Sequence, residues 1–163
     1  MYATNTGDNY YTPEWCYENL PIDWTKYRTA FEPSLGDGRL LLFLEEQGLK
    51  VDGRDITWDI GEEEDFFKWD GNVDLIMGNP PFSKAQQFIE HALPRCNTLI
   101  FLLRLNFMGA VKRHNFWKEN PPSKLYVLSN RPSFNGRGTD SCDYGWYVWE
   151  KDNPSNNIFW IRR

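Results

Sequence analysis

The stretch DLIMGNPPFSK, residues 74–84, decides how the rest of the chain is read. A short apolar run, 73–78, meets Asn79, Pro80, Pro81 and Phe82. Proline lacks a ladder donor and fixes φ, so a strand over 73–78 must stop there. A residue before proline is pushed out of helical geometry, which holds Asn79 extended. Phe82 then sets a flat apolar face beside a rigid amide. At the carboxyl end of a strand, that pair suits a planar ligand carrying an NH₂ group.

Upstream, 29–32 reads as a short strand, 39–47 as a helix stopped near Gly48, and 49–56 as an alternating strand. Downstream, 83–93 reads as a helix, with Phe88, Ile89, Ala92 and Leu93 at helical spacing and Pro94 as its stop. TLIFLLRL, 98–105, has the length and unbroken apolar character of a strand buried on both faces. Residues near 108–119 read as helical and 124–129 as a strand. YGWYVWEK, 144–151, and NIFWI, 157–161, alternate as strands that run antiparallel at one side. Strands alternating with helices predict a doubly wound α/β sheet. Ligands of such sheets bind at the carboxyl ends of the strands. The loops after 29–32 and after 73–78 both fall at that edge.

A chain of 163 residues suits one domain with one core. It has no apolar run of membrane-spanning length. Its start, MYATNTGDNYY, lacks the basic-then-apolar order of a secretory leader. Cys16, Cys96 and Cys142 are odd in number and far apart, which predicts reduced thiols and a cytoplasmic setting. No Cys pair has zinc-ligand spacing, and His91 and His114 are isolated, so no metal site is expected. Net charge is −5, against a general nucleic-acid binder, but it is unevenly spread. Residues 1–93 hold 7 Lys and Arg against 18 Asp and Glu, a balance of −11. Residues 94–163 hold 11 against 5, a balance of +6. A polyanion would meet the second half, if the split is more than segregated solvated faces.

The loop FEPSLGDGRLL, 31–41, carries Gly36 and Gly38 around Asp37 between a strand and a helix. Position 41 is Leu, so the dinucleotide fingerprint is absent, and no Gly-Lys-Ser/Thr forms a phosphate loop. Glu32, just before the glycines, would repel phosphate and attract a cationic amine. Asp55 can accept both hydroxyls of a ribose, with Ile56 against an adenine. Asp65 and Phe66 supply a second acid and a second plate. Singly, each acid is a surface residue; as an ordered series they match an adenosine that carries an amino acid.

Tyr10–Tyr11–Thr12–Pro13, FEPSLGDG at 31–38, RDI at 54–56, EDFF at 64–67 and NPPF at 79–82 carry a resemblance over nearly the whole chain. The chain resembles the S-adenosylmethionine-dependent amino-methyltransferases, and among them the DNA N6-adenine methyltransferases, including small phage-type members. RNA- and protein-methylating relatives also use NPPF or NPPY. The resemblance implies a single domain over 1–163 with a Rossmann-like class I fold. Its sheet would have seven mostly parallel strands, an antiparallel strand near the C-terminus and helices on both faces. NPPF would follow the fourth strand. S-adenosylmethionine would be the cofactor, with no metal.

By the same resemblance, Tyr11, Thr12 and Pro13 would close over the methionine end of the cofactor. Glu32, Pro33, Ser34, Gly36, Asp37 and Gly38 would hold its amino-acid part. Asp55 would bind the ribose, and Ile56, Asp65 and Phe66 would frame the adenine. Asn79, Pro80, Pro81 and Phe82 would be catalytic, Asn79 also touching the cofactor. Apart from the resemblance, the stretch SNRPSFNGRGTDSCDYGWYVW, 129–149, is polar, Gly-containing and basic, and from it Phe134 is expected to face Phe82 across the target base, with Arg131 and Arg137 on phosphate. DNA is the expected partner, with RNA as the alternative; no membrane is expected. A glutamine-methylating enzyme and a non-catalytic binding module are the remaining readings. Only 40 residues separate Gly38 from Asn79 and 14 follow Trp149, which leaves no room for a recognition domain. Target recognition is therefore expected to be weak, to act on single strands, or to come from a second subunit or homo-oligomer.

Overall fold

The structure, a computed structural model, describes residues 11–55, 65–153 and 155–162. Ile56 and Tyr10 lie outside the described residues.

Seven strands among the described residues form one sheet: β1 (Thr29–Glu32), β2 (Lys50–Gly53), β3 (Val73–Gly78), β4 (Cys96–Arg104), β5 (Lys124–Leu128), β6 (Tyr144–Glu150) and β7 (Asn157–Ile161). Their order is β2-β1-β3-β4-β6-β5-β7. The first four pair in parallel. β6 runs antiparallel to both its neighbours, β4 and β5. β7 pairs in parallel with β5 at the far edge. The chain leaves β1 in one direction to reach β2 and continues on the other side with β3. The strand order therefore reverses between β1 and β3, where an open α/β sheet leaves a crevice at the carboxyl ends.

β4 explains the stability of this arrangement. Its alternate side chains enter two cores, so an unbroken apolar run is required. Ile100 and Leu102 join Leu75, Met77, Trp146 and Val148 on one face. Leu99, Phe101 and Leu103 join Phe31, Ile76, Tyr147 and Trp149 on the other. Helices α1 (Trp15–Glu18) and α2 (Arg39–Glu46) cover the first face through Cys16, Tyr17, Leu40 and Leu44. Helices α3 (Ala85–Ala92) and α4 (His114–Glu119) cover the second through Phe88, Ile89, Ala92 and Phe116. The Trp146 indole donates to the Cys16 carbonyl at 2.7 Å and ties β6 to the first helix. No helix among the described residues is long and apolar enough to cross a membrane.

Four details differ from the sequence expectation. NPPF follows the third described strand, not the fourth, and residues 56–64 between β2 and β3 lie outside the description. β2 stops at Gly53 because the chain beyond it bonds to the loop after β1. Arg54 N–H donates to the Glu32 carbonyl at 3.0 Å, and Leu35 N–H donates to the Arg54 carbonyl at 3.2 Å. α3 starts at Ala85, behind a 3-10 turn at Phe82–Lys84 that Pro81 opens. The expected helix over 108–119 is broken into 3-10 turns before α4. Gly109 and Ala110, the latter at φ 89°, interrupt it. Arg113 Nε and Trp117 Nε1 both donate to the Phe107 carbonyl and hold the broken path.

Gly53 marks how closely β2 approaches the β1 loop. A Cβ there would sit 2.6 Å from Leu35 Cδ2 and 3.0 Å from the Glu32 carbonyl oxygen. The second contact is backbone and cannot swing aside. Gly53→Ala is expected to destabilise the fold by about 1–3 kcal/mol, as overpacking does. Urea unfolding checks this, and wild-type stability would mean the loop gives way freely.

Candidate active site

Register brings the two predicted loops together. Ala30 pairs with Leu75 and Phe31 with Ile76, so Glu32 and Gly78 end adjacent strands at one edge. A Cβ on Gly78 would lie 3.1 Å from Pro33 Cδ and 3.3 Å from Ser34 Oγ. The NPPF segment is thus packed against the glycine loop. That loop turns through left-handed Gly36 and Gly38, at φ 54° and 78°, which glycine adopts without a Cβ penalty. Asp55 Oδ2 accepts from Gly36 N–H at 2.8 Å and fixes the turn from below. Asp37 pairs with Arg39 at 2.9 Å.

A narrow cleft opens here, lined by Tyr11, Thr12, Glu32, Ser34, Leu35, Gly36, Asp37, Leu40 and Asn79. Asn79 Nδ2 donates to Thr12 Oγ1 at 3.1 Å, so the segment before α1 is latched to NPPF. Pro13 stands just outside; its carbonyl accepts from Cys16 N–H and starts α1.

Glu32 dominates the electrostatics. It is 2% exposed. Burial, with the negative charges of Asp37 and Asp55 nearby, pushes its carboxyl well above the usual range, although the Leu41 N–H opposes the shift. Glu32 Oε2 and Ser34 Oγ are buried with no hydrogen-bond partner among the described residues. Buried acceptors in that condition are costly unless a ligand satisfies them. This set of acceptors fits a ligand that brings its own N–H groups.

Other predicted residues fall elsewhere. Asp65 caps a 3-10 turn, its Oδ1 accepting from Phe67 N–H at 3.0 Å. Phe66 is a core residue at 2% exposure, stacked with Phe31 and Trp69 and packed on Phe88. It does not line the cleft, because its ring completes the core under β1 and β3. Pro80 is buried, and Pro81 accepts from Lys84 N–H. Phe134 is buried too and meets Tyr144 edge-on, with centroids 5.0 Å apart. Arg131 is exposed but paired with Asp143 at 2.8 Å, while Arg137 is exposed in the same loop.

Sequence reading missed two residues beside NPPF. Arg104, at the end of β4, lays its guanidinium carbon 4.5 Å from the Phe82 ring centroid. Its Nε donates to Tyr144 Oη at 3.1 Å. The two are register partners across β4 and β6. Burial raises the Tyr144 pKa, so the hydroxyl stays neutral. The available signal was the single cation closing an apolar run, TLIFLLR, beside the strand that bears NPPF.

A protein from Listeria monocytogenes, assigned as a class I S-adenosylmethionine-dependent methyltransferase, superposes with TM-score 0.60 at 14% identity. The alignment covers 83% of this chain and 58% of that one. The modification subunit assigned to a type I restriction enzyme of Vibrio vulnificus gives TM-score 0.61 at 13% identity, over 83% and 42% of the two chains. A protein of Pyrococcus horikoshii assigned as an RNA methyltransferase gives 0.57 at 14%, over 76% and 73%. The fold is that of the class I methyltransferases. At these identities the likeness concerns the fold. No protein-family model matches the chain, and no curated protein matches it in sequence. The aligned region is thus under two thirds of the Listeria and Vibrio proteins' own length.

Proposed function

We propose that the chain is an S-adenosylmethionine-dependent methyltransferase that acts on the N6 amino group of adenine in DNA, with residues 1–163 as one catalytic domain. The observation that carries this reading is the meeting of Asn79 with buried Glu32 and the glycine loop at one cleft. S-adenosylmethionine would supply a methyl group on a sulfonium. Glu32 would take its ammonium group, the Gly36–Gly38 turn its carboxylate end, and Asp55 its ribose hydroxyls.

The chain's own chemistry is placement. An exocyclic amine is a poor nucleophile because its lone pair is delocalised into the ring. Two acceptors aimed at its N–H groups favour a pyramidal nitrogen with a directed lone pair. Asn79 Oδ1 and the Pro80 carbonyl suit this, and Thr12, by taking the Asn79 NH₂, sets which end of the amide accepts. Orientation and preorganised dipoles then carry the in-line displacement. The amine proton becomes acidic once the nitrogen is alkylated, so no strong base is needed. Phe82 stacks on the target base, flipped out if the substrate is duplex.

The basic second half supports a nucleic-acid substrate. The loop at 129–143 and the segment after Arg104 lie at the NPPF edge, because β4 ends where β6 begins. RNA is the second reading, favoured by the RNA methyltransferase among the structural neighbours. A second subunit or another copy of the chain would supply target recognition.

S-adenosylhomocysteine is expected to bind in calorimetry without metal. Methyl transfer to single- and double-stranded DNA and RNA, with digestion and mass spectrometry, is expected to yield N6-methyladenine. Failure to bind the cofactor product would remove the methyltransferase reading. Methylguanine or methylglutamine as sole product would move the chain to another substrate class.

A further inference from the structure

Phe82 already has a planar group on one face. The Arg104 guanidinium lies over the ring. Tyr144, tilted against Phe82 at 5.5 Å, holds Arg104 through its hydroxyl. Phe134 in turn braces Tyr144 from the loop at 129–143. Phe134, expected to face Phe82, is buried against Tyr144, and a cation lies over the Phe82 ring.

Resting on the nucleic-acid reading above, we propose that Arg104 is the second plate of the base clamp, so that a target base enters between the Phe82 ring and the Arg104 guanidinium. Guanidinium planes stack on bases as aromatic rings do, and they add attraction to the π face. Two stacking contacts of about 3.5–4.0 Å each place the plates about 7–8 Å apart. The present 4.5 Å is a closed clamp, with the guanidinium filling the slot. Opening needs rotation of a long, partly exposed side chain away from the ring, with release of its bond to the Tyr144 hydroxyl.

The test separates a plate from a phosphate contact. Two short single-stranded oligodeoxynucleotides are compared with S-adenosylhomocysteine present, one carrying a single adenine and one an abasic site at that position. Wild-type protein is expected to prefer the adenine strand by about 10-fold, the effect of stacking one base. Arg104→Ala is expected to reduce that preference severalfold, leaving the part that stacking on Phe82 alone supports, while changing affinity for the abasic strand less than about 2-fold. Arg104→Lys, which keeps the charge and loses the plane, is expected to behave like Arg104→Ala. Full rescue by Lys, or equal loss on both strands, would make Arg104 a phosphate contact and overturn the clamp, as would a wild-type protein with no base preference. Calorimetry with S-adenosylhomocysteine, expected to be unchanged in both variants, reports on the methyltransferase reading separately.

Discussion

Asn79→Ala is expected to lower methyl transfer at least about a hundredfold while leaving S-adenosylhomocysteine affinity nearly unchanged. Asn79 sits where the two loops meet, latched to Thr12 at 3.1 Å. Its oxygen is assigned to the target amine, an interaction that strengthens as the nitrogen becomes pyramidal. Losing one preorganised group of this kind raises a barrier by about 3 kcal/mol or more. The substitution also releases Thr12, so a small loss of cofactor affinity is expected. Thr12→Val isolates that part: it removes the latch, keeps the Asn79 acceptor, and is expected to lower the rate far less. Single-turnover methyl transfer with labelled cofactor, beside calorimetry, reads both effects. Wild-type rates from Asn79→Ala would end this mechanism.

Glu32→Gln is expected to weaken cofactor binding and, at the same time, to stabilise the empty protein. A charged hydrogen-bond partner is worth about 1.5–3 kcal/mol, or roughly 10- to 150-fold in affinity. The stability effect follows from the raised carboxyl pKa, caused first by burial and then by Asp37 and Asp55. Above the ordinary carboxyl range, the folded protein holds a proton that the unfolded chain has lost. Folded stability therefore falls as pH rises from about 4.5 through the raised pKa, and the full penalty remains above it. Gln carries no such charge. Its melting temperature should exceed wild type at about pH 8, with the gap closing near about pH 4. Scanning calorimetry across that range checks the sign. An S-adenosylhomocysteine affinity equal to wild type would take Glu32 out of the cofactor site.

The legible parts of the fold were those where one physical demand admits one composition. β4 must be apolar at every inner position because both faces are covered, and TLIFLLRL meets that demand openly. Asn79 and its prolines announce a strand end and a held amide, and the structure places them beside Glu32. Aromatic residues were harder, because a ring that could stack on a ligand could equally fill a core. Phe66 and Phe134 proved to be core rings. Arg104 and Tyr144 were hidden for another reason. Their contact depends on the register of β4 against β6, which brings together residues 40 positions apart. Local pattern carries no record of such a pairing.

The place of β6 has a consequence for how the chain is made. β4 and β5 do not pair with each other; both pair with β6, which follows them in sequence. A growing chain that has reached residue 143 holds a four-strand half-sheet whose last edge is β4. That edge is nearly all apolar and lacks its partner. β5 has no neighbour until the same segment arrives, and the first helix lacks the Trp146 anchor on Cys16. Unpaired apolar edges join other chains. Translation halted before residues 144–150 would therefore release a sticky fragment rather than a smaller folded protein, and chaperone demand should peak just before that strand leaves the ribosome.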